Sequence, residues 1–102
     1  MNKQKFTPGP WSLLFNDKTK VVLEQQGVAV FIADTYAGFT KSEEEQKANA
    51  ALIAAAPEMY DLLEHYLGLI QKASEGDTVA EQKIFEQAAD IEKVLKKARG
   101  GK

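Results

Sequence analysis

Cysteine is absent from the 102 residues and histidine occurs once, as His65. Without thiols there is no disulfide scaffold, zinc ribbon, iron–sulfur site or cysteine nucleophile, and nothing calls for an oxidising compartment. A single imidazole excludes two-histidine metal motifs. Long apolar runs are missing: residues 48–57 make the longest, half of the roughly 20 residues that span a bilayer, and Lys3 and Lys5 are followed by no apolar stretch. Neither membrane insertion nor secretion is expected. The seven glycines are scattered apart from Gly100-Gly101, so no loop is built to cradle phosphate. Ser12, Ser42 and Ser74 lie in no strand–turn–helix elbow, which leaves no activated nucleophile. A basic excess is also lacking, since 13 Lys and Arg stand against 15 Asp and Glu for a net charge of −2. Nucleic-acid binding, which draws most of its affinity from phosphate neutralisation, is disfavoured. The expectation is a chain that is not an enzyme and has no catalytic residues, no metal and no cofactor.

What is present describes one domain, residues 1–102, of the α+β class. Hydrophobic residues make up 44% of the chain, enough for one modest core. Residues 1–10 read as an extended arm punctuated by Pro8 and Pro10, which lack a ladder donor and push their predecessors away from helix. An antiparallel meander follows over 11–41. Its three strands are at 11–15, 20–25 and 28–34, rich in β-branched and aromatic residues, with turns at Asn16-Asp17-Lys18 and Gln26-Gly27. In the third strand Val28, Val30 and Ile32 fall on one face with Asp34, and Ala29, Phe31 and Ala33 on the other. Both faces are apolar, which predicts a helix on one and a second copy of the chain on the other. Residues 35–41 read as a loop or short edge strand.

The remainder, 42–99, is helical. Ser42 and Glu45 form a capping box at the start of the first helix. Ala48, Ala51, Leu52 and Ala55 give that helix a narrow small-residue face. Pro57 kinks or ends it and suits the first turn of the next. Met59, Leu63, Tyr66, Ile70 and Ala73 step by 4, 3, 4, 3 along a second helix, which Gly76 stops. Asp77 or Thr78 caps a last helix, in which Ile84, Ala88, Ile91, Leu95 and Ala98 repeat the same steps. The two stripes predict an antiparallel hairpin, and residues 100–102 a frayed tail. Net charge runs +2, −6 and +2 over residues 1–41, 42–77 and 78–102, an acidic middle between basic ends.

Few side chains suggest chemistry. Glu58, Asp61 and His65 share a helical face that reads as solvated rather than metal-binding. Asp17 and Asp34 stand at strand ends, where folding could bring the two carboxylates together, as it could in any small domain. Trp11 is either a core anchor whose indole N–H needs one partner or an exposed contact. Phe31, Tyr36 and Phe39 form either a sheet-face cluster or a stacking surface, and Lys18 and Lys20 with Trp11 make the best local basic and aromatic grouping. Trp11, Lys18, Lys20, Phe31, Tyr36 and Phe39 are therefore the candidate ligand or partner contacts. Trp11, Val30, Ile32, Leu52, Leu63, Tyr66, Ile70, Ile84, Ile91 and Leu95 are the expected core.

Two segments carry a resemblance: Thr7-Pro8-Gly9-Pro10-Trp11, and residues 46–59, which read QKANAALIAAAPEM. Their combination resembles small tailed-phage and prophage accessory proteins with TPGPW-like and ANA-x-LIAAAPE-like segments. This chain departs by carrying Phe6 where many relatives have histidine, and Ala51 where they have arginine. The resemblance implies a phage protein acting in the cytoplasm of a bacterial host, and supplies no catalytic residue. Proteins of this kind commonly work by binding. The leading expectation is a self-associating interaction protein that inhibits a host or anti-phage defence factor. The alternative is a binder or sponge for a signalling nucleotide, held by lysines with Trp11, Tyr36 or Phe39. An enzyme or DNA-binding regulator comes third.

Overall fold

The computed structural model describes residues 5–35 and 42–101. Three strands, β1 (Ser12–Leu14), β2 (Asp17–Gln25) and β3 (Val28–Asp34), form an antiparallel sheet in the order β1-β2-β3. Four helices follow: α1 (Glu43–Ala54), α2 (Ala56–Ser74), α3 (Thr78–Glu86) and α4 (Ala88–Ala98). The α+β architecture agrees with the sequence pattern. The first turn is tighter than its composition suggested, because β2 already begins at Asp17 and pairs it with Leu14. At the second turn Gln26 and Gly27 both take positive φ, 51° and 81°, the geometry that suits the right-handed twist of a two-residue hairpin.

A bulge corrects the expected alternation in β3. Val21 pairs with Ala33 and Val22 with Phe31, so Ile32 is an extra residue on the β3 side. Bulged residues shift which face the following side chains take. Ile32 and Ala33 consequently both pack against the core, whereas Val30 is exposed. The end of β3 is tied to α1 through Thr35, whose hydroxyl donates to the carbonyl of Thr19 (2.7 Å) and lies 3.1 Å from that of Gln46. The Gln46 side-chain amide donates back to the Thr35 carbonyl at 3.1 Å.

The core is built from small residues. Val21, Ala50 and Ala54 form its buried centre, with Trp11, Leu13 and Ile53 packed around them. On α1 the buried positions are Ala50, Ala51 and Ala54, followed by Ala55 at the helix end; Ala48 and Leu52, expected on this face, are exposed. Alanine lets the helix axis approach the sheet closely and leaves no room for the leucine. Ser42 caps α1 by accepting from the Glu45 N–H at 3.1 Å. Ala55 ends it, and α2 starts at once with Pro57 in its first turn.

The hairpin forms with a bend. Gly76 takes φ 94°, and Asp77 rather than Thr78 caps α3, its carboxylate accepting from the N–H groups of Val79 and Ala80. The expected single last helix is interrupted at Gln87, which is buried and whose N–H bonds to Ile84 instead of continuing the regular ladder. α3 packs along α2, while α4 packs on both α1 and α2. The inward stripe of α2 runs through Leu62, Tyr66, Leu69 and Ala73, one step round from the expected one, and Leu63, Ile70 and Leu95 are exposed. The end of α4 is closed by two glycines. Gly100 and Gly101 adopt positive φ and donate to the carbonyls of Lys97 and Lys96, a helix-ending motif that needs the left-handed region. Lys102 lies outside the described residues.

The molecule measures 53 × 28 × 22 Å with a radius of gyration of 16.5 Å, against about 13 Å for a compact chain of this length. Gly27→Ala, which forces a Cβ into the left-handed region while meeting no neighbour, is expected to cost about 1–2 kcal/mol. Ala50→Leu, which overfills the helix–sheet seam, is expected to cost about 1–3 kcal/mol. Urea unfolding followed by circular dichroism checks both.

Candidate functional site

The N-terminal arm, the start of α2 and the end of α4 meet in one joint. Gly9 lies so close to Pro57 that an added Cβ would stand 2.6 Å from the proline Cβ. The Gly9–Pro10 peptide is cis. Phe6 meets Tyr60 edge to face with ring centroids 5.0 Å apart. Lys97, from the last turn of α4, donates to the Trp11 carbonyl at 2.9 Å and is ion-paired with Glu58 Oε2. Glu58 Oε1 is buried and has no hydrogen-bond partner among the described residues. The Trp11 indole donates to the Thr7 carbonyl at 3.2 Å, so the ring is packed on the core and its polar edge is satisfied within the arm.

Among the described residues several concave surfaces are open to a ligand. A cleft of 450 Å³ lies beside the joint, lined by Trp11, Leu13, Lys18, Lys97 and Gly100 among others. An entirely apolar groove of 260 Å³ separates α2 from α4, with Met59, Leu62, Leu63 and Tyr66 on one wall and Ile91, Val94 and Leu95 on the other. The sheet adds a third apolar surface. Phe31 is 65% exposed, and Val28, Val30 and Phe15 are exposed with it.

A family model described as Salmonella phage P22 protein Y8K6 matches residues 1–102. The chain belongs to this phage protein family. No curated protein and no solved structure matches it. Family membership agrees with the resemblance to phage proteins read from the sequence.

In this family member the candidate contacts are dispersed. Trp11 and Lys18 line the same cleft. Lys20 is not part of it: its ammonium is held by Asp17 at 2.7 Å and lies 3.7 Å from Asp34, which places the two strand-end carboxylates around one cation. Phe31 stands apart on β3, and Tyr36 and Phe39 lie outside the described residues. Glu58 is ion-paired with Lys97 and lines a shallow cleft together with Asp61 and His65. Among the described residues no three His, Asp or Glu side chains come close enough to hold a metal ion, and no helix is long and apolar enough to cross a membrane. The α2/α4 groove was missed because each helix's stripe was assigned wholly to the other helix; the surplus of apolar residues on α2 was the available signal.

Hydrogen bonds from Lys20 and from the Thr19 side chain and backbone bring the Asp17 carboxyl down from 3.8 to about 2. The Lys20 ammonium is raised in turn, chiefly by its hydrogen bond to Asp17. A carboxyl with a lowered folded-state pKa stabilises the fold above its unfolded value and ceases to do so as pH falls through the folded one. Asp17→Asn is therefore expected to flatten the acid dependence of the urea midpoint between pH 3.8 and about 2, and an unchanged pH profile would contradict the assignment. Gly9→Ala, by clashing with Pro57, is expected to loosen the arm and shift the emission of Trp11, the only tryptophan, towards that of a solvated indole. An emission maximum equal to wild type would show the joint does not hold the ring.

Proposed function

We propose that this phage protein is a non-enzymatic binding protein that acts in the host cytoplasm and blocks a host or anti-phage defence protein, with β3 as its docking strand. One observation carries this reading. β3 is an edge of the sheet, no described strand pairs with its outer side, and its residues Val28 to Phe31 are exposed on both faces although all four are apolar. Soluble proteins blunt free edges with charges, prolines or short strands. This edge has seven residues; it carries no charge and no proline before Asp34, and its bulge, another such device, lies at Ile32, past the exposed Val28–Phe31 stretch. Such a strand pairs readily with an extended segment of a partner: backbone hydrogen bonds supply affinity, and Val30 and Phe31 supply specificity from opposite faces. Phe31 is the largest of these side chains and the natural anchor.

The test is capture from phage-infected host cells with tagged wild type and Phe31→Lys in parallel. Because Phe31 is exposed, the substitution is expected to change stability by less than about 0.5 kcal/mol, while the captured host protein is lost. Retention of the same partner by Phe31→Lys, or no enriched host protein with wild type, would overturn the reading.

A second reading, binding of a signalling nucleotide, is supported by the cleft in which Trp11 and Lys18 meet. Lys97 contributes little net charge there because it is paired with Glu58. Thermal-shift measurements against cyclic nucleotides and ADP-ribose derivatives separate the two readings. A rise in melting temperature removed by Lys18→Ala supports the nucleotide, and a flat response across the panel contradicts it.

A further inference from the structure

We infer that the cleft beside the joint takes a flat aromatic ligand bearing a single negative charge, and that Glu58 sets this charge limit by neutralising Lys97. The inference rests on the second reading above, that the cleft in which Trp11 and Lys18 meet holds a ligand, and it names the class of ligand selected there.

The lining favours a planar group. Trp11 packs on the core and also lines the cleft, and an indole ring offers offset stacking to a second aromatic ring. Leu13, Ala51 and Ala54 line the cleft with it. Each alanine projects a single methyl group, so this stretch of the lining is apolar and low in relief. The cleft measures 450 Å³, within the roughly 300–1,000 Å³ of small-molecule pockets.

Charge sets the second requirement. Lys18 is exposed, and among the described residues no carboxylate pairs with it, so its charge is available to a ligand. Lys97 lines the cleft as well. Of the three donors of its ammonium, one is engaged by the Trp11 carbonyl and one by Glu58 Oε2. The ion pair is neutral as a unit, so Lys97 offers a ligand its remaining donor without net charge. Lys96 and Arg99 lie outside the lining, whereas Gly100 and Gly101 bring the carbonyl end of α4 to it, an end that carries partial negative charge. One full positive charge therefore faces the ligand. A phosphodiester or a carboxylate attached to an aromatic ring matches it. A phosphate monoester, with about two charges at neutral pH, leaves the second without a counter-charge. Glu58 is itself absent from the lining and acts through Lys97 as a positioning residue: without its carboxylate Lys97 regains a full charge and the cleft holds two.

The test is isothermal titration of the full chain with adenosine, cyclic AMP and AMP, which hold the ring constant while the charge rises from none to one to about two. Naphthoate supplies one charge on an aromatic ring without phosphate. Cyclic AMP is expected to bind more tightly than adenosine or AMP, and Lys18→Ala to bring it down to the affinity of adenosine. In Glu58→Gln the ratio of AMP to cyclic AMP affinity is expected to rise about tenfold, the worth of one added charge-assisted hydrogen bond. AMP binding wild type as tightly as cyclic AMP would overturn the charge limit while leaving the nucleotide reading in place. Naphthoate binding where no nucleotide does would support a flat, singly charged ligand and end the nucleotide reading, and no binding by any of the four would overturn both. An unchanged ratio in a Glu58→Gln chain with wild-type circular dichroism would remove Glu58 from the account, and the wild-type order remains decisive for the charge limit if that variant does not fold.

Discussion

Everything else in this molecule depends on the alanine seam between α1 and β2. Ala50, Ala51, Ala54 and Ala55 bring the helix down on Val21 at close range, and among the described residues the largest side chains fully removed from water are two valines, Val21 and Val22. Close approach gives good packing and many dispersion contacts, but small side chains bury little apolar area each. The core is therefore thin. Leucines and phenylalanines that would fill a thicker one are left on the outside of α2, α3 and β3.

A thin core needs help at its edges, and the joint of arm, α2 and α4 supplies it. The arm would otherwise be free chain. Instead Phe6, Gly9 and the Trp11 carbonyl each find a partner on a different element, Tyr60, Pro57 and Lys97 respectively. Lys97 links chain segments 86 residues apart in sequence. The two segments that looked distinctive in the sequence, Thr7–Trp11 and residues 46–59, thus adjoin in space: one supplies the strap and the other both the seam and the proline on which the strap rests. Their distinctiveness has a structural cause.

Local signals were readable from the sequence wherever one residue decides the backbone. Ser42 caps, Gln26-Gly27 turns, and Gly76-Asp77 separates two helices because their hydrogen bonding or their tolerance of positive φ leaves few alternatives. Rotation and register were not readable. α2 has apolar residues over more than a third of its circumference, so periodicity admits two stripes; Pro57 against Gly9 and Glu58 against Lys97 fix the rotation that buries Leu69 and exposes Leu63. The bulge at Ile32 and the bend at Gln87 carry no glycine or proline to announce them. Each follows from tertiary packing. The candidate contacts fared similarly: Trp11 and Lys18 converge because β1 and β2 are neighbours, while Lys20 is held between Asp17 and Asp34, the strand-end carboxylates that the sequence suggested could be brought together.

Sheet and α1 hold the chain together with small residues, and large apolar side chains of β3, α2 and α3 are left exposed. Native-state hydrogen exchange tests this most directly. Amides of β2 around Val21 and of α1 around Ala54 should exchange slowest, and those of α2 beyond Leu63 and of α3 faster. Uniform protection across sheet and hairpin would contradict a thin core held by the alanine seam.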